Sequence, residues 1–192
     1  TELLNDRFQY LHAFSKDTFT SFEERAVVAQ GEIMSTNMVV AYLKQIGIKA
    51  TLLPALDFMK IDKNQEPDMT FIKENLKNLL DENTGYQIYI TQGFICRNAY
   101  GEIDNLQRGG SDYTASIIGA AIRAEEIQIW TDIDGMHNND PRIVELTEPV
   151  HQLNFEEAAE LAYFGAKILH PTCVQPARNA GIPVALKNTM DP

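Results

Sequence analysis

The chain has 192 residues, of which 44% are hydrophobic and 22% charged, a soluble globular composition sufficient for one sizeable core, and it is read as a single domain over 1–192. A net charge of -11, from 16 Lys+Arg against 27 Asp+Glu, argues against sequence-independent nucleic-acid binding, which needs a basic face. Cys96 and Cys173 have no metal or disulfide spacing, no apolar run is long enough to span a membrane, and the first residues lack a signal-peptide pattern, so a reducing cytoplasm is expected.

Residues 3–14 read as a helix with Leu4, Phe8, Leu11 and Phe14 on one side. After a polar break at 15–21, a second helical pattern runs over 22–46. Val27, Val28, Met34, Met38, Val39, Tyr42 and Leu43 are expected inward, with Gly31 interrupting it and Gly47 ending it. A strand is expected over 48–53, stopped by Pro54, then a loop over 56–67 and a helix over 71–82. The β-rich run 86–91 is expected to continue beyond Gly93 into 94–97, and 98–107 reads as a loop or ribbon.

A well-patterned helix follows at 111–124, with Ile117, Ile118, Ala121 and Ile122 as its core stripe. The nearly continuous apolar run 127–131 is what a central parallel strand looks like. Asn154 is placed to cap a helix that Phe164-Gly165-Ala166-Lys167 breaks. Pro171 starts another, reaching about Ala180, and 182–186 reads as a last strand. Strands alternating with helices predict an α/β fold with a mostly parallel sheet, whose ligands bind beyond the carboxyl ends of strands.

The stretch Arg108-Gly109-Gly110-Ser111-Asp112 stands out. Two glycines let backbone N–H groups turn toward a ligand, a new helix adds its positive end, and Arg108 offers a planar fork for a carboxylate or phosphate. Either this is an anion site with Asp112 beside it, or it is a glycine turn capped by Ser111. Glu32 is either a functional carboxylate or a solvated helix residue, and Asp140-Pro141-Arg142 is either a ligand clamp or a local turn pair.

Several chemistries fail on spacing. Gly165-Ala166-Lys167-Ile168 lacks the rest of a Walker A loop, and no G-x-G-x-x-G fingerprint occurs. Asp132-Ile133-Asp134-Gly135 misses the calcium-loop template, the four histidines have no ligand spacing, and Ser111 sits in no nucleophile elbow. What remains is an anion nest, Thr131 and Asp132 at a strand end, Arg142, and Lys167. Those are the parts of phosphoryl transfer, which is mostly positioning and charge neutralisation.

With these residues assembled, the chain resembles the catalytic domain of aspartate kinases, in the amino-acid-kinase superfamily. The matching stretches are Gln30-Gly31-Glu32-Ile33-Met34-Ser35-Thr36, Ile90-Thr91-Gln92-Gly93-Phe94-Ile95, Arg108 to Thr114, Trp130-Thr131-Asp132, Asp140-Pro141-Arg142 and Phe164 to Pro171, in family order. The resemblance implies a three-layer α/β/α fold and ATP-dependent phosphorylation of the L-aspartate side-chain carboxylate. It also implies cytoplasmic lysine, threonine and methionine synthesis, and a homo-oligomer.

By the same resemblance Arg108, with Gly109, Gly110 and Ser111, would hold the substrate α-carboxylate. Glu32 would hold its amino group, Phe94 would shape the pocket, and Asp112 would serve the reaction centre. Thr131, Asp132, His137, Arg142 and Lys167 would contact ATP, with Mg²⁺ bridging its phosphates and no dedicated metal site on the protein. His137 stands where the family often has tyrosine.

The family's opening Lys-Phe-Gly-Gly-Thr-Ser loop and its ACT repeats have no counterpart, and the chain starts without Met. It is therefore expected to be a fragment, incomplete at both ends, with weak or no turnover alone and an exposed sheet edge that invites association. The alternatives are another amino-acid kinase, or a non-catalytic ligand-binding or self-associating module.

Overall fold

The computed structural model describes residues 2–14, 20–106, 109–132, 135–139, 143–164 and 170–191, the side chains of Leu3 and Phe164 excepted. The chain divides into two compact units, Thr1–Leu106 and Gln107–Pro192.

In the first unit, helix α1 (Glu2–Phe14) lies against helix α2 (Ser21–Gln45). Helix α2 starts at a capping box. The Thr20 hydroxyl accepts from the Glu23 N–H, and the Glu23 carboxylate accepts from the Thr20 N–H at 2.6 Å. The helix then runs unbroken through Gly31, against expectation. One interior glycine costs about 1 kcal/mol, too little to stop a helix whose neighbours on both sides continue it.

The buried face of α2 also differs from the periodic reading. Ala29, Gln30 and Val40 are buried, while Val28, Met38, Val39 and Tyr42 are exposed. Helix α2 packs against strands β1 (Ala50–Leu52) and β4 (Ile103–Asn105), and that contact selects the small and polar side of the helix.

Strand β1 pairs in parallel with β2 (Ile88–Ile90), in register Ala50↔Ile88 and Leu52↔Ile90. Their crossover holds a short helix α3 (Ala55–Phe58), where a loop was expected, and helix α4 (Met69–Glu82). Helix α4 is capped by the Asp68 carboxylate, which accepts from the Phe71 N–H at 3.1 Å, and buries Ile72 and Leu76.

Strand β3 (Ile95–Arg97) does not continue β2. It turns after Gly93 and forms an antiparallel ribbon with β4, in register Ile95↔Asn105. The polar 98–102 stretch closes the ribbon, because the Asn98 side-chain oxygen accepts from both the Tyr100 and Glu102 N–H groups.

In the second unit, helix α5 (Gly110–Ile122) is followed by strand β5 (Ile127–Thr131), which pairs in parallel with β6 (Val184–Asn188). The crossover carries helix α6 (Phe155–Phe164), a 3₁₀ turn at Pro171–Val174 and helix α7 (Gln175–Ala180). Asn154 and Glu157 form a second reciprocal cap for α6, at 2.8 and 2.9 Å. Residues 165–169, where α6 was expected to break, lie outside the described residues.

Ile127, Ile129, Val174, Ala177 and Ile182 form the core of this unit. Strand β5 alternates, with Ile127 and Ile129 buried and Gln128 and Trp130 outward, so it is covered on one face rather than two. Gly119 lets α5 lie close against the strand: a Cβ there would lie 2.5 Å from the Ile127 side chain. The fold is thus α/β, with two parallel strand pairs and one antiparallel ribbon among the described residues.

Candidate functional site

The second unit contains the glycine nest. Gly109 and Gly110 both take left-handed backbone, at φ 73° and 46°. Gly109 is itself the cap of α5, so Ser111 lies exposed in the first turn and does not cap the helix. Of the two alternatives the sequence left open, the turn capped by Ser111 is not the one formed, because a left-handed glycine can start a helix without a side-chain cap. The Asp112 and Tyr113 N–H groups both return to the Gly109 carbonyl, at 3.0 and 3.2 Å. Among the described residues, the Gly110 and Ser111 N–H groups have no backbone acceptor, and a helix start leaves such donors for a ligand.

Asp112 is half-buried beside these donors, and burial pushes its carboxyl above the usual carboxylate range. The helix end favours the ionised form, but desolvation prevails. Arg108, the cation expected here, lies outside the described residues, as do Arg142 and Lys167.

Thr131 and Asp132 sit at the carboxyl end of β5, where a parallel strand presents its ligands. The Thr131 hydroxyl donates to Asp132 Oδ1 at 3.1 Å, and its carbonyl accepts from the Thr189 N–H at 2.8 Å. Asp132 is therefore held at its root and exposed at its tip. His137 is buried, with Nδ1 2.9 Å from the Thr147 hydroxyl, and its segment bridges to Pro149. It ties residues 136–138 to residues 147–149.

In the first unit, Glu32 is half-buried on α2 and Phe94 sits at the turn into β3. Phe94 has φ 70°, left-handed backbone that a bulky residue rarely adopts. Hydrogen bonds hold it there: its carbonyl accepts from the Leu106 N–H at 2.7 Å, and the Ile95 N–H reaches Gly93 at 2.8 Å.

Two neighbours of these residues escaped the sequence reading as to role. Gln92, buried, donates to the Thr36 hydroxyl at 2.8 Å and accepts from the Ala55 N–H at 2.8 Å. Its amide thus ties the turn before Phe94 to the helix that carries Glu32. Asp104, 2% exposed in its side chain, pairs with Arg25 at 2.8 Å and holds the ribbon to α2. The pairing is 79 residues apart in sequence, and the only local signal is a charge inside Ile103-Asp104-Asn105. Beside it, burial and the Asp104 charge push the Cys96 thiol up to about 12.

Among the described residues no cluster of three His, Cys, Asp or Glu could hold a metal ion, and no helix is long and apolar enough to cross a membrane.

Comparison with known proteins places this geometry in context. The amino acid kinase family matches residues 4–188. Lysine-sensitive aspartokinase 3 of Escherichia coli (strain K12) is 37% identical over 169 residues, covering 86% of this chain and 38% of the relative. Aspartokinase 1, chloroplastic, of Arabidopsis thaliana is 40% identical over 172 residues, covering 86% of this chain and 30% of the relative. The chain therefore spans well under half the length of these relatives. The crystal structure of E. coli aspartokinase III in complex with aspartate and ADP superposes with a TM-score of 0.86 at 34% identity, over 100% of this chain and 43% of that one. The match extends almost end to end through both units, and the chain belongs to the amino acid kinase family.

Proposed function

We propose that this chain is part of the catalytic domain of an aspartate kinase, which transfers the γ-phosphoryl group of ATP to the side-chain carboxylate of L-aspartate. The observation that carries the reading is the left-handed Gly109-Gly110 pair opening α5, with Asp112 two residues on in its first turn, in a chain similar to an aspartokinase solved with aspartate and ADP. The family match runs through both units without a break, which supports treating 1–192 as one catalytic domain.

Within the second unit, Arg108 and the Gly110 and Ser111 N–H groups would take the substrate α-carboxylate. Asp112 would lie at the reaction centre and organise charge around the transferring group. Its raised carboxyl fits a position where a fixed negative charge next to an anion would be costly. Thr131 and Asp132 would hold the nucleotide at the end of β5, with Arg142 and Lys167 as its cations. His137 would support that contact from the loop behind. When bound, Mg²⁺-ATP supplies the transferable phosphoryl group. Within the first unit, Glu32 would meet the substrate ammonium and Phe94 would shape the pocket around the substrate.

The same reading makes the whole protein a cytoplasmic homo-oligomer feeding lysine, threonine and methionine synthesis. The test is acyl-phosphate trapping by hydroxylamine in the whole protein that carries this chain. Aspartyl hydroxamate is expected from L-aspartate with Mg²⁺-ATP and far less product from L-glutamate. Equal or greater product from glutamate overturns the choice of substrate.

A further inference from the structure

We infer that Cys173 is a positioning residue for the anion nest: its thiol occupies the space beneath Gly109 and sets the left-handed path that aims the Gly110 and Ser111 N–H groups. The inference deepens the reading above and rests on it for the identity of the bound acid.

The geometry is specific. A Cβ placed on Gly109 would fall 1.6 Å from Cys173 Sγ and 3.0 Å from Cys173 Cβ. The thiol therefore fills the volume that any other residue at 109 would need for its side chain. Gly109 is confined by this contact as well as by its φ of 73°. A sulfur atom on one side and the returning N–H groups of Asp112 and Tyr113 on the other leave the Gly109 peptide little freedom.

Cys173 is itself fixed. It is fully buried within the 3₁₀ turn Pro171–Val174, and its N–H donates to the His170 carbonyl at 2.9 Å. The Thr172 N–H donates to His170 Nδ1, which closes the start of that turn. Val174 and Ala177 belong to the core, and the Ala177 N–H donates to the Ser116 hydroxyl on α5 at 3.1 Å. The support beneath the nest is thus tied back to the helix that the nest opens.

The chemistry suits a passive role. Burial first, and the Asp112 charge second, push the Cys173 thiol up to about 11. It stays a neutral thiol, presents no charge to a bound anion and is no nucleophile.

The test uses Cys173→Ala, Cys173→Leu and Cys173→Ser in the whole protein. Cys173→Ala removes the support and is expected to raise the KM for aspartate about tenfold, while the KM for ATP stays within about twofold. Cys173→Leu displaces the Gly109 backbone and is expected to cost about 100-fold in kcat/KM for aspartate. Cys173→Ser keeps an atom beneath Gly109 and is expected to recover most of the Cys173→Ala loss. A wild-type KM for aspartate in Cys173→Ala, even with a lowered Tm, overturns the inference.

Amide chemical shifts of Gly109, Gly110 and Ser111 are read in parallel, without substrate. They are expected to move in Cys173→Ala more than those of Trp130 or Lys187, whichever acid the protein uses. Unmoved shifts overturn the inference and leave the aspartate assignment standing. Moved shifts with no hydroxamate from aspartate in the wild type overturn the assignment and leave the inference standing.

Discussion

The two units hold their functional turns by different means. In the first, buried polar side chains do it: Arg25 clamps Asp104, Gln92 bridges Thr36 and Ala55, and Asn98 closes the ribbon. In the second, polar contacts such as Ala177 N–H to Ser116 are joined by steric ones, where a backbone without a side chain lies against a neighbour. Gly109 sits on Cys173, and Gly119 on Ile127. A polar clamp tolerates small changes in volume and fails when a partner is lost. A steric contact is indifferent to charge and fails when an atom is added.

The largest expected effect comes from breaking the polar clamp. Arg25→Met leaves the Asp104 carboxylate buried without its cation and is expected to destabilise the protein by about 3–5 kcal/mol, read from urea unfolding at unchanged m-value. Adding Asp104→Asn to that background is expected to recover part of the loss, because the uncompensated charge is gone. No recovery would show that packing, not charge, holds the ribbon.

A smaller effect is expected from adding one atom to the steric contact. Gly119→Ala overpacks Ile127 at about 1–3 kcal/mol, offset by about 1 kcal/mol of helix propensity. The net is a loss of up to about 2 kcal/mol, which Ile127→Val in the same chain should reduce. If Gly119→Ala stabilises the protein, the close approach is softer than its geometry and the contrast between the units weakens.

The smallest effect tests a carboxylate whose ionised form burial disfavours. The folded protein raises the pKa of Asp112, so it favours the protonated form. Its contribution to stability is then fully present at pH values below the unfolded value and lost as pH rises through the folded one. Asp112→Asn is expected to raise Tm at neutral pH and to change it little below the ordinary Asp pKa. A Tm gain independent of pH would assign the effect to something other than desolvation.

Much of this was legible in the sequence, and the failures have a common cause. The α5 helix, the β5 strand and the Gly-Gly-Ser-Asp opening are local patterns, each written in a dozen residues. The stripe expected on α5 was only partly right: Ile117 is buried, Ile122 is 49% exposed, and the helix turns its Tyr113, Ser116 and Ala120 side inward instead. The exposed side of α2 was misjudged because Val28, Met38, Val39 and Tyr42 are as periodic as a core stripe. Which side a helix buries is chosen by what it meets, and β4 arrives some eighty residues later. The β3–β4 ribbon was misread because Gly93 and Phe94 turn the chain through left-handed backbone at Phe94, which a phenylalanine does not announce. Gln92 and Asp104 gained their roles only through partners distant in sequence. The placement of Thr131–Asp132 at a strand end and the glycine turn opening α5 were readable from residue type, whereas the thiol beneath Gly109 was not, since one cysteine carries no pattern.

Phe94 separates the requirements of folding from those of the site. Its left-handed backbone is one that glycine adopts freely and that costs a bulky residue about 1–2 kcal/mol. For the chain path alone, a glycine at 94 would give the more stable turn. The backbone hydrogen bonds at this turn do not depend on the ring and would form equally well without it. On the proposed function, an aromatic at this corner would give the pocket a rigid wall at a fixed angle, and the turn would bear a small standing strain to display it.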